Sequence, residues 1–574
     1  MIRTIAEGKV TEQPETVMAM LQARLGRLDS GPRRAVRAAA VLGQTFWRGG
    51  VAAILDLPAA SPEVEHGLSQ LMEAELIVQH ASSRLPGEPE YSFRHALVCD
   101  AACSLLLPAD LQLGHKRAGR YLRAAGEADL RAIAEHFERG GLLDEAAAAY
   151  AQAAAHTMKR ADFMGTLAIA ECALRCGAAG DTLGQVRGLQ AEAYFLTPER
   201  ARLGEVAHEA VRLLPPGSVL WYKALWRLIT TETARGNAST VDPWAQLLVN
   251  SAPQEGASDA YVEALGVAIS VLCTACRFEL ARTLLGRSRE LHRSFPRGAS
   301  QPGLLVAESQ YLRTAEPDPF RQLECLLTAS SYFHRINHTE MIAIMDDFVG
   351  EAYGELGDFA RGETTLRGSL RRAERAGQGY LIIHAKLHLA ALLIYAADSR
   401  HLAEAEELVR SVLTDDKLSP TYREWSHGLL AQARQQQGDP LQAEAEAQRS
   451  LALPATAPLR RLLVTSTLIG SLLAQQRFTE VRERVQQTLS TLEQLGSGGY
   501  AEARIRLTAA EALAALGDPQ AAARQLQTAG REIRLRADKI PEPEMRARYL
   551  TKVPENARIL SLLSEAASAA AVQG

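Results

Sequence analysis

Aromatic side chains are scarce in this chain of 574 residues, where 12 Phe, 14 Tyr and 5 Trp amount to 5%. That scarcity argues against a stacking platform for single-stranded nucleic acid or oligosaccharide. It also argues against a strand-rich fold, which draws on aromatic and β-branched residues. Long apolar runs are missing too. No window approaches the uncharged span of about 18 residues that a transmembrane helix needs. The opening "MIRTIAEGKVTEQPETVMAM" lacks the apolar core of a signal peptide. Seven cysteines, an odd number in a long chain, do not make a disulfide framework. The expectation is a cytoplasmic protein with no membrane partner. Net charge is −4, so the chain as a whole has no pull towards polyanions.

Catalytic signatures are equally absent. There is no G-x-x-x-x-G-K-[ST]; "GHKR" from Gly114 has neither the loop nor the hydroxyl. Without a phosphate-cradling loop and a magnesium-binding acid, NTP hydrolysis is not expected. The kinase H-R-D and D-F-G motifs, the G-x-S-x-G elbow and H-E-x-x-H do not occur. Cys99/Cys103, Cys172/Cys176 and Cys273/Cys276 each set two thiols on one helical face, half of a zinc site. The pairs lie far apart in sequence and Cys325 stands alone, so buried packing is the expected role. His208 in "AHEAVR" has no second histidine beside it. No enzyme activity, cofactor or metal is expected.

What the chain has in abundance is Ala, Leu, Glu, Arg and Gln, all strong helix formers. It also has a repeat. "ELGDFARGETTL", "QQGDPLQAEAEA" and "ALGDPQAAARQL" place small-polar turns at Gly357-Asp358, Gly438-Asp439 and Gly517-Asp518. Intermediate turns fall at Ala397-Asp398 and Gln476-Arg477, and upstream ones near 317 and 276, giving a step of about forty residues. An apolar-periodic helix precedes each turn and a second follows it. Gly supplies a left-handed helix end, Asp caps the next helix, and Pro440 and Pro519 suit its first turn. The pattern predicts a solenoid of helix pairs. "EAYGELGDFARGE", with Ala352, Tyr353, Gly357 and Phe359, resembles the tetratricopeptide family, although the step exceeds that family's usual 34 residues.

The front does not follow the repeat. "PETVMAMLQARLGRL" puts Val17, Met20, Leu21, Leu25 and Leu28 on one helical face. "GPRRAVRAAAVLG", "GGVAAILDL" and "SPEVEHGLSQLMEAELI", the last with Ser61 at its cap, read as three more helices. "LIVQHASSRLPGEPEYSFRH" then reads as two short strands around a Pro/Gly turn. The expected fold is mostly α: an N-terminal winged-helix-like module, then a TPR-like superhelical solenoid. The expected divisions are a lead-in amphipathic helix over 1–30, the winged-helix-like domain over 31–125, first helical repeats over 126–180, the solenoid over 181–535, and C-terminal capping helices and tail over 536–574.

With "LMEAELIV", "YSFRHALVCDAACSLLLPADLQLGHKRAGRYL", "IAEHFERGGLLDEAAAAY" and the tail "RARYLTKVPENARIL", the chain resembles the region downstream of the nucleotide-binding domain in STAND-type signalling ATPases. These are large bacterial regulators, some fused to kinases, cyclases or DNA-binding modules. In that family a histidine at the start of a winged-helix helix, often in a Met-His-Asp context, senses the nucleotide's β-phosphate. The resemblance implies that role for His95, with Arg94 beside it, although Ala96 stands where that context has its acid. An imidazole at a helix N-terminus suits a phosphate. The same two residues can equally cap the helix and pin the strand pair to it. DNA binding is not expected, because the helix that would enter the groove carries Glu63, Glu65, Glu73 and Glu75 and no basic residue. The basic Arg33, Arg34 and Arg37 lie on an earlier helix.

Two functions follow from this reading. One is a non-catalytic signalling scaffold that binds a protein or peptide in the groove of the solenoid. Asp346, Glu351 and Lys386 are candidate groove residues. The other is the regulatory half of an ATPase or Ser/Thr kinase system whose nucleotide-binding domain lies on another chain.

Overall fold

The computed structural model describes residues 13–573 apart from 198–199, 235–240, 295–300, 378, 397–398, 417 and 455–456. The chain is mostly α-helical. It divides into two compact units, Met1–Leu214 and Pro215–Gly574.

In the first unit, helices Gln13–Gly26 and Ser30–Leu42 precede a three-residue strand, β1 (Thr45–Trp47). Helices Arg48–Leu55 and Pro62–Glu73 follow, then β2 (Ile77–Gln79) and β3 (Glu90–Phe93). β3 lies between its neighbours and is antiparallel to both, with Phe46 opposite Tyr91 and Val78 opposite Ser92. The sheet therefore has three strands rather than the two expected. β1 is too short to show the alternation that marks a strand. It earns its place by packing: Phe46 is fully buried, stacked 5.8 Å from Tyr91 and tilted 5.3 Å from Phe93. One apolar core runs from Leu25 and Val36 through Phe46 and Leu71 to Phe137, Tyr150 and Val186. The sheet and the helices after it thus bury their apolar faces together. Gly119 allows one close approach, since a Cβ there would meet the Phe137 ring at 2.8 Å.

In the second unit the repeat is explicit. From Ser258 the helices come in pairs: Ser258–Thr274 with Phe278–Ser294, Gln301–Thr314 with Pro319–Arg335, and Thr339–Glu355 with Phe359–Ala376. Gly379–Tyr395 pairs with Ser399–Leu413, Pro420–Gln436 with Pro440–Ala452, Pro458–Ala474 with Phe478–Leu495, and Glu502–Ala515 with Pro519–Asp538. The turns obey the chemistry read from the sequence. Gly357, Gly438 and Gly517 have φ of +77°, +78° and +81°. The Arg361, Gln442 and Ala521 N–H groups donate to the Asp358, Asp439 and Asp518 carboxylates. The turn at Ala397-Asp398 lies outside the described residues. Where glycine is missing, Cys276 and Gln476 take the left-handed conformation themselves, at φ +57° and +59°.

The array does not stay open. Leu323, Leu326, Val349 and Leu356 share a core with Ile533, Ile540, Tyr549 and Ile559. Cys276 and Phe278 likewise share one with Leu459, Leu462 and Ile505. Lys539 donates to the Pro317 carbonyl at 3.0 Å, and Arg548 pairs with Asp358 at 3.6 Å. The last helices, Pro543–Thr551 and Pro554–Gln573, therefore pack on the pair around residue 340 as well as on their sequence neighbours. Within this unit the solenoid closes on itself.

Candidate functional site

First helices of the pairs from Gln301 onwards bring polar side chains together in a shared interior. Arg313, 15% exposed, holds Glu351 and Glu355 at 2.7 Å each and lies 3.9 Å over the Tyr500 ring. Gln322 adds a hydrogen bond to Glu355 at 3.1 Å. Burial opposes the Arg313 charge, but the two carboxylates outweigh it and hold its pKa above the ordinary arginine value. Burial raises Glu355, with Arg313 pulling the other way. One helix further on, His384 Nδ1 meets Asp347 Oδ2 at 2.6 Å, and His388 Nδ1 lies 3.6 Å from Glu351 Oε2. Burial first, and the His384 charge second, hold His388 well below the usual histidine range.

The cluster continues around the ring of helices. The Trp425 ring stands edge-on to His388, with centroids 4.9 Å apart, and Arg460 lies 4.9 Å over Trp425. Arg504 donates to Gln432 at 3.1 Å and stands 3.9 Å from Glu555. Arg536 closes the arc by donating to the Gly499 carbonyl and to Glu502, both at 2.9 Å. Several buried atoms of this interior have no hydrogen-bond partner: Asp347 Oδ1, His388 Nδ1, Arg460 Nη1 and Glu555 Oε2. Buried polar atoms are rarely left in that state in a finished core.

Of the three groove candidates, Glu351 alone belongs to this interior. Asp346 points one helix position away and pairs with Arg372. Lys386 donates to Ser411 at 2.9 Å on an exposed face. Sequence reasoning missed Asp347, His384, His388, Arg313, Arg460 and Trp425. The available signal was "HAKLH", two histidines four apart and so on one helical face.

In the first unit His95 occupies the N-cap of helix Ala96–Ser104, exposed, and its side chain makes no capping hydrogen bond. Arg94 is exposed beside it, 3.9 Å from Glu75. The cysteine pairs pack as thiols: Cys99 and Cys103 both approach the Ala40 carbonyl, and all seven are free. Among the described residues no three His, Cys, Asp or Glu side chains converge as metal ligands, and no helix is long and apolar enough to cross a membrane.

No family model matches the chain, and no curated protein matches it. Among solved structures it is similar to a Rap protein complexed with competence and sporulation factor, at 11% identity and TM-score 0.41 over 60% of this chain and 99% of that one. It is also similar to a STAND protein with a tetratricopeptide repeat sensor from Pyrococcus horikoshii, at 13% identity and TM-score 0.33. That match covers 92% of this chain and 66% of the other. A third is NprR in complex with its cognate peptide NprX, at 11% identity and TM-score 0.40, over 60% of this chain and 99% of that one.

Proposed function

We propose that the protein is a non-catalytic regulatory scaffold, and that the closed array of its second unit takes a protein or peptide segment against its polar interior. One observation carries this reading: buried polar atoms on different helices of the closed array, His388 Nδ1, Arg460 Nη1 and Glu555 Oε2 among them, make no hydrogen bond. A polar segment entering there gains charge-assisted bonds that the fold has prepared. The seven free thiols support a cytoplasmic setting. The test is affinity capture with the whole chain as bait, beside Arg460→Ala and Arg504→Ala. Loss of the captured partner with folding intact supports the interior as the site; equal capture by both variants refutes it.

A second reading concerns the first unit. Its order of helix, strand, helix, helix, strand, strand, with β3 central, supports a winged-helix module over 31–125. The other divisions, at 30, 180 and 535, are proposed with it. On this reading Arg94 and His95, exposed and uncommitted to capping, face the nucleotide of an ATPase or kinase domain carried by another chain. Capture of such a domain should then depend on ADP or ATP and weaken with His95→Ala. Nucleotide-independent capture removes the sensor role.

A further inference from the structure

We propose that the interior of the second unit selects a basic side chain, the lysine ammonium or arginine guanidinium of a bound peptide, and holds it between His388 and Glu351. The inference rests on the reading that a peptide enters there, and adds the side chain that the peptide carries.

The hydrogen bonds around two histidines fix which atoms need a donor. His384 Nδ1 meets Asp347 Oδ2 at 2.6 Å, and an ionised carboxylate only accepts, so the proton lies on Nδ1. His384 Nε2 is then a lone pair, and it receives the hydrogen bond of His388 Nε2 at 3.3 Å. A neutral imidazole carries one proton, which leaves His388 Nδ1 as an acceptor. Burial first, and His384 second, oppose a further proton on that ring. His388 is 6% exposed, its Nδ1 makes no hydrogen bond, and it faces Glu351 Oε2 at 3.6 Å. Two acceptors thus confront each other, and neither can donate to the other.

Charge decides what kind of donor fits. Asp347, Glu351 and Glu355 meet around this point, and among the described residues Arg313 is the guanidinium paired with them. With both imidazoles neutral, three carboxylates and one guanidinium leave two negative charges uncompensated. Asp347 is 1% exposed and its Oδ1 has no hydrogen bond, so part of that excess is deeply buried. A water molecule bridges two acceptors but brings no charge; an ammonium or guanidinium does both, through charge-assisted bonds. A nitrogen about 2.9 Å from each acceptor fits against their 3.6 Å separation. Arg313 occupies Glu351 Oε1, which leaves Oε2 for the newcomer. Glu351 keeps 23% of its side chain exposed, so the position is within reach of a ligand.

The experiment is selection of phage-displayed random dodecapeptides on the full chain, then fluorescence anisotropy with the enriched peptides. Expected is a lysine or arginine whose replacement by norleucine or citrulline weakens binding to the natural chain about 10–100-fold. The same replacement should change little in Glu351→Gln, because the two groups act as one pair. Peptides that lose affinity for Arg460→Ala or Arg504→Ala, yet tolerate replacement of every lysine and arginine, overturn this inference while leaving the interior as the peptide site. Peptides that bind both of those variants as well as the natural chain overturn the underlying reading and this inference with it, as does a selection that enriches nothing. If Glu351→Gln does not fold, the peptide replacements measured on the natural chain decide.

Discussion

The Ser497 hydroxyl donates to the Thr314 carbonyl at 2.7 Å, joining positions 183 apart in the sequence. In an open solenoid each repeat touches only its neighbours, and stability is a sum of local terms. Here the pair beginning at Gln301 is also held by Tyr500, Lys539 and the cores built on Ile505 and Ile533. Closure makes this stretch cooperative and builds the interior in which the polar side chains meet.

Arg313 is the charge that neutralises that interior on one side. Arg313→Ala leaves Glu351 and Glu355 buried without their cation, and removing one partner of a buried pair costs about 3–5 kcal/mol. Urea unfolding of the second unit should show that loss. A change within 1 kcal/mol would mean that water already solvates the two carboxylates.

Leu356 and Leu516 occupy equivalent turns but differ in burial. Leu356 is 0% exposed in the closing core, whereas Leu516 is half-buried. Leu356→Asp should cost several kcal/mol, because it buries an unpaired carboxylate. Leu516→Asp should cost clearly less. Equal melting of the two variants would show that the closing core adds nothing at Leu356.

Gln476 takes φ +59° on an exposed turn of the kind that Gly357, Gly438 and Gly517 form in other pairs. A side chain in that conformation costs on the order of 1 kcal/mol, partly offset by the freedom glycine gives the unfolded chain. Gln476→Gly should therefore stabilise by about 0.5–1 kcal/mol in chemical denaturation. Destabilisation would mean that the glutamine side chain contributes a contact worth more than the strain.

Much of this was legible in advance, and the reasons differ from element to element. Gly357, Gly438 and Gly517 announce their turns because backbone conformation is local. The helix pairs follow from apolar periodicity for the same reason. Closure was not legible, since nothing near Thr314 specifies Ser497. Among the groove candidates Glu351 lies in the interior, whereas Asp346 pairs with Arg372: a step of one residue rotates a helix by about 100°, and it is Asp347 that reaches His384. β1 escaped because three residues carry no periodicity, and only Tyr91 and Phe93 across the sheet fix Phe46 in place.

His115 and His136, both buried, share a hydrogen bond at 2.9 Å between the helices Pro108–Ala124 and Leu130–Arg139. Burial lowers each pKa to about 4, helped by Arg139 and, for His136, by His115. The unfolded chain takes up these protons first, near the ordinary value of about 6.5. The pair's contribution to stability is thus whole above that pH and is lost as pH falls towards 4. Denaturation of the natural chain and of H115N/H136N between pH 7 and 4.5 isolates the effect. The natural chain should lose stability more steeply; parallel slopes would show that the rings already carry protons.

Hydrogen exchange in Ile533→Ala tests closure itself. Ile533 lies on the helix Pro519–Asp538 yet shares its core with Leu323, Val349 and Leu356. A closed array predicts faster exchange in helices Pro319–Arg335 and Thr339–Glu355 as well as around residue 533, with the pairs between 379 and 452 much less affected. Exchange that rises only in the sequence neighbours of Ile533, and leaves 319–355 as protected as before, would contradict closure and the interior built upon it.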